Sequence, residues 1–160
     1  MTAPGLSGVG LKNPWRRVRI DAGDTFKMIR IPILLYDKII DHAKREWPIE
    51  CCGILSGKGD TIEKAYELRN EEESSIRYIM SPQEQLRVFD EMDKESMEMV
   101  AIYHSHPHTI PFPSETDVRL FFYPEVASII ISLKDEKDPV VKAFRIGQEA
   151  IYLEEINIVT

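Results

Sequence analysis

His104, Ser105, His106 and Pro107 run together, and after six more residues come Ser114 and then Asp117. On an extended backbone side chains alternate, so His104 and His106 project from one face while Ser105 points away. Two imidazoles one residue apart and a carboxylate a short loop away supply the three protein ligands of a hydrolytic zinc site, with a fourth position open for water. Asp117 is the nearest acidic residue whose placement on a rigid helix makes sense.

Taken singly these pieces are ordinary. Ser114 and Asp117 alone have the SxxD form of a capping box at a helix start. Ser114 can cap and still aim its hydroxyl at a tetrahedral oxygen, because a hydroxyl both donates and accepts. Asp117 faces a sharper choice, since a carboxylate committed to a metal has less freedom to cap. His108 continues the alternation, but Pro107 should turn the chain away and leave it on a loop or facing substrate. His42, between Asp41 and Lys44 on a helix, reads as solvated. Cys51 and Cys52 read as small buried hydrophobes, and the acidic residues 71–73 as a solvated loop.

The elements that must position these groups follow from pattern and punctuation. Residues 27–31 read as a strand, and Pro32 suits the first position of a helix to residue 46 whose buried stripe is Leu35, Ile39 and Ala43. Trp47 and Pro48 stop it, which places Glu50 just before an apolar strand over 52–56 with Gly57 and Gly59 behind. A hairpin partner over 62–68, a polar loop over 70–75 and a strand-like run over 76–80 come next. Ser81 to Glu84 has the form of a capping box, and Leu86, Phe89 and Met92 should face the core of the helix it opens. Residues 100–103 form the strand that delivers the histidines, 107–113 an irregular Pro-rich loop and 114–123 a helix. Three further strands are expected over 127–133, 140–146 and 150–156, with the charged residues 134–138 as a turn and no internal repeat.

At 160 residues, 43% hydrophobic and 29% charged, the chain has the length and composition of one globular domain that buries a core without a structural metal. A net charge of -7 and no basic helix face argue against a nucleic-acid partner. No run of about 18 apolar residues offers a membrane span. Residues 1–26 form an acid-poor leader, expected to be flexible, that lacks a secretory signal; the domain proper is 27–160. Adjacent cysteines disfavour an ordinary disulfide, and the chain reads as cytoplasmic.

HxHP, six residues, then SxxD is similar to the signature of the JAMM metallopeptidases, the catalytic branch of the MPN domain family. An upstream segment resembles that family's PxExCGxLxG, with Pro48, Glu50, Cys52, Gly53, Leu55 and Gly57 at those places. The resemblance implies an α/β fold: a curved, mostly antiparallel sheet flanked by helices, of cytidine-deaminase-like architecture, with the zinc site beside the sheet. It implies one Zn2+ per chain held by His104, His106 and Asp117, Glu50 as general acid/base and Ser114 steadying the oxyanion. These roles are physically sensible, because zinc lowers the pKa of a bound water toward about 7 and a nearby carboxylate can pass its proton to a leaving amine.

The implied reaction is hydrolysis of a peptide or isopeptide bond after the glycine-rich, Gly-Gly-type C-terminal tail of a ubiquitin-like or sulfur-carrier protein, as in the stand-alone prokaryotic members. A non-catalytic MPN-type scaffold is the alternative from another class, but such members typically lose the ligands that this chain retains in full. A small-substrate zinc amidase is a further alternative; a base deaminase would need HxE and PCxxC, and a thermolysin-like enzyme HExxH, none of which is present. Two histidines and one carboxylate can also serve iron(II). Which adduct is cleaved, the oligomeric state and any activating partner stay open at the level of sequence.

Overall fold

Three segments are buried along nearly their whole length and so need cover on both faces: Cys52–Lys58 (β3), Glu98–His106 (β5) and Ala127–Ser132 (β6). In the computed structural model, which describes residues 18–19, 28–147 and 150–160, they form the middle of one eight-stranded sheet. β5 lies antiparallel to β3 and parallel to β6. Thr61–Leu68 (β4) pairs antiparallel with β3, and Val140–Ile146 (β7) antiparallel with β6. Ile151–Val159 (β8) runs antiparallel to β7 and parallel to Met28–Pro32 (β2), which touches β4 at Arg30 and Thr61. The sheet thus curves until it closes on itself. Its antiparallel ladders hold most of the paired residues, with parallel rungs at β5–β6 and around β2.

Helices cover both faces of the β3–β5 pair. Ile33–Glu46 (α1) buries Ile39 and Ala43 in one cluster with Leu55, Ala101 and Tyr103. Pro82–Lys94 (α2) buries Val88 and Met92 in another with Cys52, Ile54 and Ile102. From Ala101 onward the side chains of β5 alternate: Ala101 and Tyr103 face α1, and Ile102 faces α2 with His104 and His106 next on its side. Gly53 lets Tyr103 lie across β3, since a Cβ there would overlap the Tyr103 ring and the Tyr66 carbonyl. Gly59, at φ 60°, makes the left-handed turn of the β3–β4 hairpin.

Several expectations need correction. The third helix, Glu115–Arg119 (α3), stops well short of residue 123, with Leu120 as its C-cap; Pro124 disfavours helical backbone only at Tyr123. Residues 76–80 are a loop with one bridge, Asn70 to Met80, because the Asn70 side chain satisfies the backbone groups a neighbouring strand would otherwise pair. Leu86 is 69% exposed, and Val88 takes its place in the core beside Met92. Ser81 Oγ accepts from the Glu84 N–H, but the Glu84 carboxylate accepts from the Arg69 N–H instead of completing the box, since the Ser81 N–H already donates to the Arg69 carbonyl. His42 is buried, its Nδ1 2.7 Å from the Tyr103 hydroxyl. Its chain neighbours suggest solvation, whereas the partner that buries it is 61 residues away.

Of the expected leader, only Val18–Arg19 (β1) lies among the described residues, pairing in parallel with β8. No helix among the described residues is long and apolar enough to cross a membrane.

Candidate metal and active site

β5 carries His104 opposite Cys52 on one neighbour and Ile130 on the other, and ends at His106. Both imidazoles are buried, at 1% and 4% exposure. Asp117, in the first turn of α3, reaches the same point: its Oδ2 lies 3.1 Å from each histidine Nε2, and the two Nε2 atoms are 3.2 Å apart. Ligands about 2.0–2.1 Å from a tetrahedral zinc stand roughly 3.3–3.4 Å from one another. The triangle of two nitrogens and one oxygen is nearly one face of that tetrahedron, so these three residues fit a zinc ion.

A neighbouring carbonyl fixes one of the imidazoles. The Ile110 carbonyl, 2.9 Å from His106 Nδ1, can only accept, so Nδ1 carries the proton and the Nε2 lone pair faces the group. Tyr78 stacks on His104 with ring centroids 4.6 Å apart. Asp117 does not have to choose between its two tasks. The same Oδ2 accepts from the Ser114 N–H at 2.9 Å while Ser114 Oγ accepts from the Asp117 N–H at 3.0 Å, a complete capping box. Burial works to raise the Asp117 pKa, but the two imidazoles outweigh it and hold the carboxylate far below its ordinary range. Burial likewise pushes His106 down, and the Asp117 carboxylate more than reverses this, leaving its pKa raised.

Glu50 lies just before β3 and is buried, at 3% exposure. Its N–H donates to the Ser74 carbonyl at 2.8 Å, and its carbonyl accepts from Asn70 Nδ2 at 3.0 Å. Its side-chain Oε1 is buried with no hydrogen-bond partner. Burial pushes the Glu50 carboxyl up to about 8, with His106 pulling it down and Asp117 adding to the rise, so it lies within electrostatic reach of the histidine–aspartate group. A carboxyl of this kind can hold or release a proton near neutral pH.

The structure thus brings together His104, His106, Asp117, Ser114 and Glu50. His108 is exposed against Trp47, ring centroids 5.6 Å apart, outside the group. Cys51 and Cys52 are free and buried, and burial pushes the Cys51 thiol up to about 12 and Cys52 higher still, far from thiolate chemistry. Asn70 escapes the sequence reading, because a polar loop gives no sign of which of its residues turn inward, and Tyr78 is expected only as part of a strand-like run, with no sign that its ring meets His104.

A sequence model of the family described as prokaryotic homologs of the JAB domain matches residues 33–147, which contain every residue of this group. The chain belongs to that family. This JAB-domain chain is 34% identical over 127 residues to a CysO-cysteine peptidase of Mycobacterium bovis, covering 78% of this chain and 87% of that one. It is 34% identical over 88 residues to a desampylase of Pyrococcus furiosus, covering 55% and 63%. The solution structure of a protein from Desulfitobacterium hafniense superposes with a TM-score of 0.76 at 36% identity, covering 82% of this chain and 93% of that one. In this JAB domain a cavity of about 340 Å³ opens beside Asp117, walled by Tyr78, Ile102, Leu120, Phe121 and Phe122.

Proposed function

We infer that the protein is a zinc-dependent peptidase or isopeptidase that hydrolyses the bond after the Gly-Gly-type tail of a ubiquitin-like or sulfur-carrier protein, with one zinc per chain. The observation that carries this reading is the convergence of His104, His106 and Asp117 to within 3.1–3.2 Å, beside a buried glutamate with an unpartnered oxygen. A JAB-family relative named as a CysO-cysteine peptidase and another named as a desampylase support the substrate class.

His104, His106 and Asp117 would hold the ion. When bound, zinc supplies Lewis acidity, polarising a carbonyl and making water acidic near neutral pH. Glu50 Oε1 takes a proton from the attacking water, whose oxygen bonds to the carbonyl carbon. Glu50 then gives that proton to the leaving nitrogen as the C–N bond breaks. Ser114 turns its hydroxyl to the oxygen that gains charge. The unpaired buried cysteines fit a reducing, cytoplasmic setting.

The experiment compares wild type with Glu50→Gln on a fusion that follows a Gly-Gly tail. Wild type cleaves after the tail, and Glu50→Gln keeps about one zinc but loses cleavage. A wild type that binds zinc yet leaves such fusions intact overturns the substrate; if it hydrolyses small amides, the protein is an amidase, and if nothing, a scaffold.

A further inference from the structure

Asn70 follows β4, is 4% exposed, and uses its whole side chain. Its Nδ2 donates to the carbonyls of Glu50 at 3.0 Å and Arg77 at 3.1 Å. Its Oδ1 accepts from the N–H groups of Glu72 at 3.0 Å and Ile79 at 3.1 Å. A carboxamide has two donors and two lone pairs, so nothing is left over. Two of these partners, the Arg77 carbonyl and the Ile79 N–H, belong to the peptide groups on either side of Tyr78. The ring of Tyr78 lies against His104, 4.6 Å between centroids and 29° from parallel. A third partner is the backbone of Glu50 itself.

We propose that Asn70 is a positioning residue of this site: one buried amide fixes Glu50 and the Tyr78 ring relative to the histidine strand. It rests on reading Glu50 as the acid/base of the site. An ordinary loop-stabilising asparagine would bond within residues 70–80 only. The bond to Glu50 leaves that loop and reaches 20 residues back along the chain. Reactions of this kind lose on the order of 100-fold when a reacting group shifts by about 1 Å, so a lost tether at Glu50 should act on turnover more than on binding.

The test uses the full zinc-loaded chain, a Gly-Gly-tailed fusion as substrate and two variants. Asn70→Ala removes all four bonds. Asn70→Asp keeps the accepting oxygen for Glu72 and Ile79 but loses both donors, so the ties to the Glu50 and Arg77 carbonyls go together while two of the loop's own bonds remain. For Asn70→Asp, zinc content and the hydrogen-exchange rates of the Glu72 and Ile79 amides should stay within about threefold of wild type. Its kcat should fall roughly 10- to 100-fold with KM within about threefold. In a Glu50→Asp background, where the carboxylate is already displaced, the same substitution should cost less than about threefold more.

Unchanged kcat in both Asn70 variants overturns the proposal. So does an equal loss in the wild-type and Glu50→Asp backgrounds, the mark of a merely structural effect. A rapidly exchanging Asn70 side-chain NH2 in the wild type also overturns it without reference to activity. A wild type that cleaves no such fusion overturns the functional reading first, so the two failures are told apart.

Discussion

The Cys51 N–H donates to Ser105 Oγ at 2.8 Å, while the Ser105 N–H donates to the Cys51 carbonyl at 3.1 Å. This two-point tie fastens the residue after Glu50 to the residue between the two histidines. Ser105 faces away from the proposed metal ligands and still sets the distance between them and Glu50. Ser105→Ala leaves the buried Cys51 N–H without its acceptor, at a cost of about 1–3 kcal/mol. The thermal midpoint should fall roughly 2–4 °C for each kcal/mol, and turnover should drop while zinc is retained. An unchanged midpoint would show that water or a shifted backbone replaces the hydroxyl.

Asp117→Asn and Asp117→Ala separate the two tasks of one oxygen. The amide oxygen of Asn can still accept from the Ser114 N–H, so α3 keeps its start, but the charge between the imidazoles is gone. Zinc should be lost to a chelator concentration that wild type withstands, with a near-normal midpoint for the metal-free chain. Asp117→Ala should lose zinc and about 1 kcal/mol more with the cap bond. Zinc binding as tight in Asp117→Asn as in wild type would remove the carboxylate from the ligand set.

The buried Glu50 makes the metal-free protein sensitive to pH. Its folded pKa, about 8, lies above its ordinary value of 4.5. Below pH 4.5 folded and unfolded chains both hold the proton; between 4.5 and about 8 only the folded chain does, so stability falls as pH rises and levels off above about 8. Glu50→Gln removes that dependence. In excess chelator the midpoint of Glu50→Gln should therefore pull ahead of wild type across this window by the equivalent of a few kcal/mol. A constant gap from pH 4 to about pH 9 would mean that Glu50 titrates as an ordinary carboxyl.

Ser114→Ala should keep zinc and lose on the order of 100- to 1000-fold in rate if its hydroxyl steadies the developing oxyanion. Single-turnover rates on the tailed fusion would show this. Unchanged turnover would leave Ser114 a helix cap and nothing more.

What is legible in the sequence is local. His104 and His106 are brought to one face by strand alternation alone, and Ser114 and Asp117 share the first turn of a helix, so spacing foretells both pairs. Glu50 is visible through the segment from Pro48 to Gly57, whose strand pairs directly with the histidine strand. Long-range partners are not legible. The burial of His42 depends on Tyr103, and Asn70 acts through carbonyls that no residue type announces. On α2, Leu86 is the most apolar choice for the stripe, yet Val88 and Met92 set the buried face; helical phase is decided by the sheet beneath, to which periodicity is blind.

The most direct measurement is zinc per chain by elemental analysis of the purified protein beside His104→Ala, with fusion cleavage followed before and after chelation. Wild type should hold about one zinc and lose cleavage to a strong chelator, and His104→Ala should hold almost none. A wild type that cleaves at full rate after every metal has been removed would contradict the metal-dependent reaction proposed for His104, His106 and Asp117.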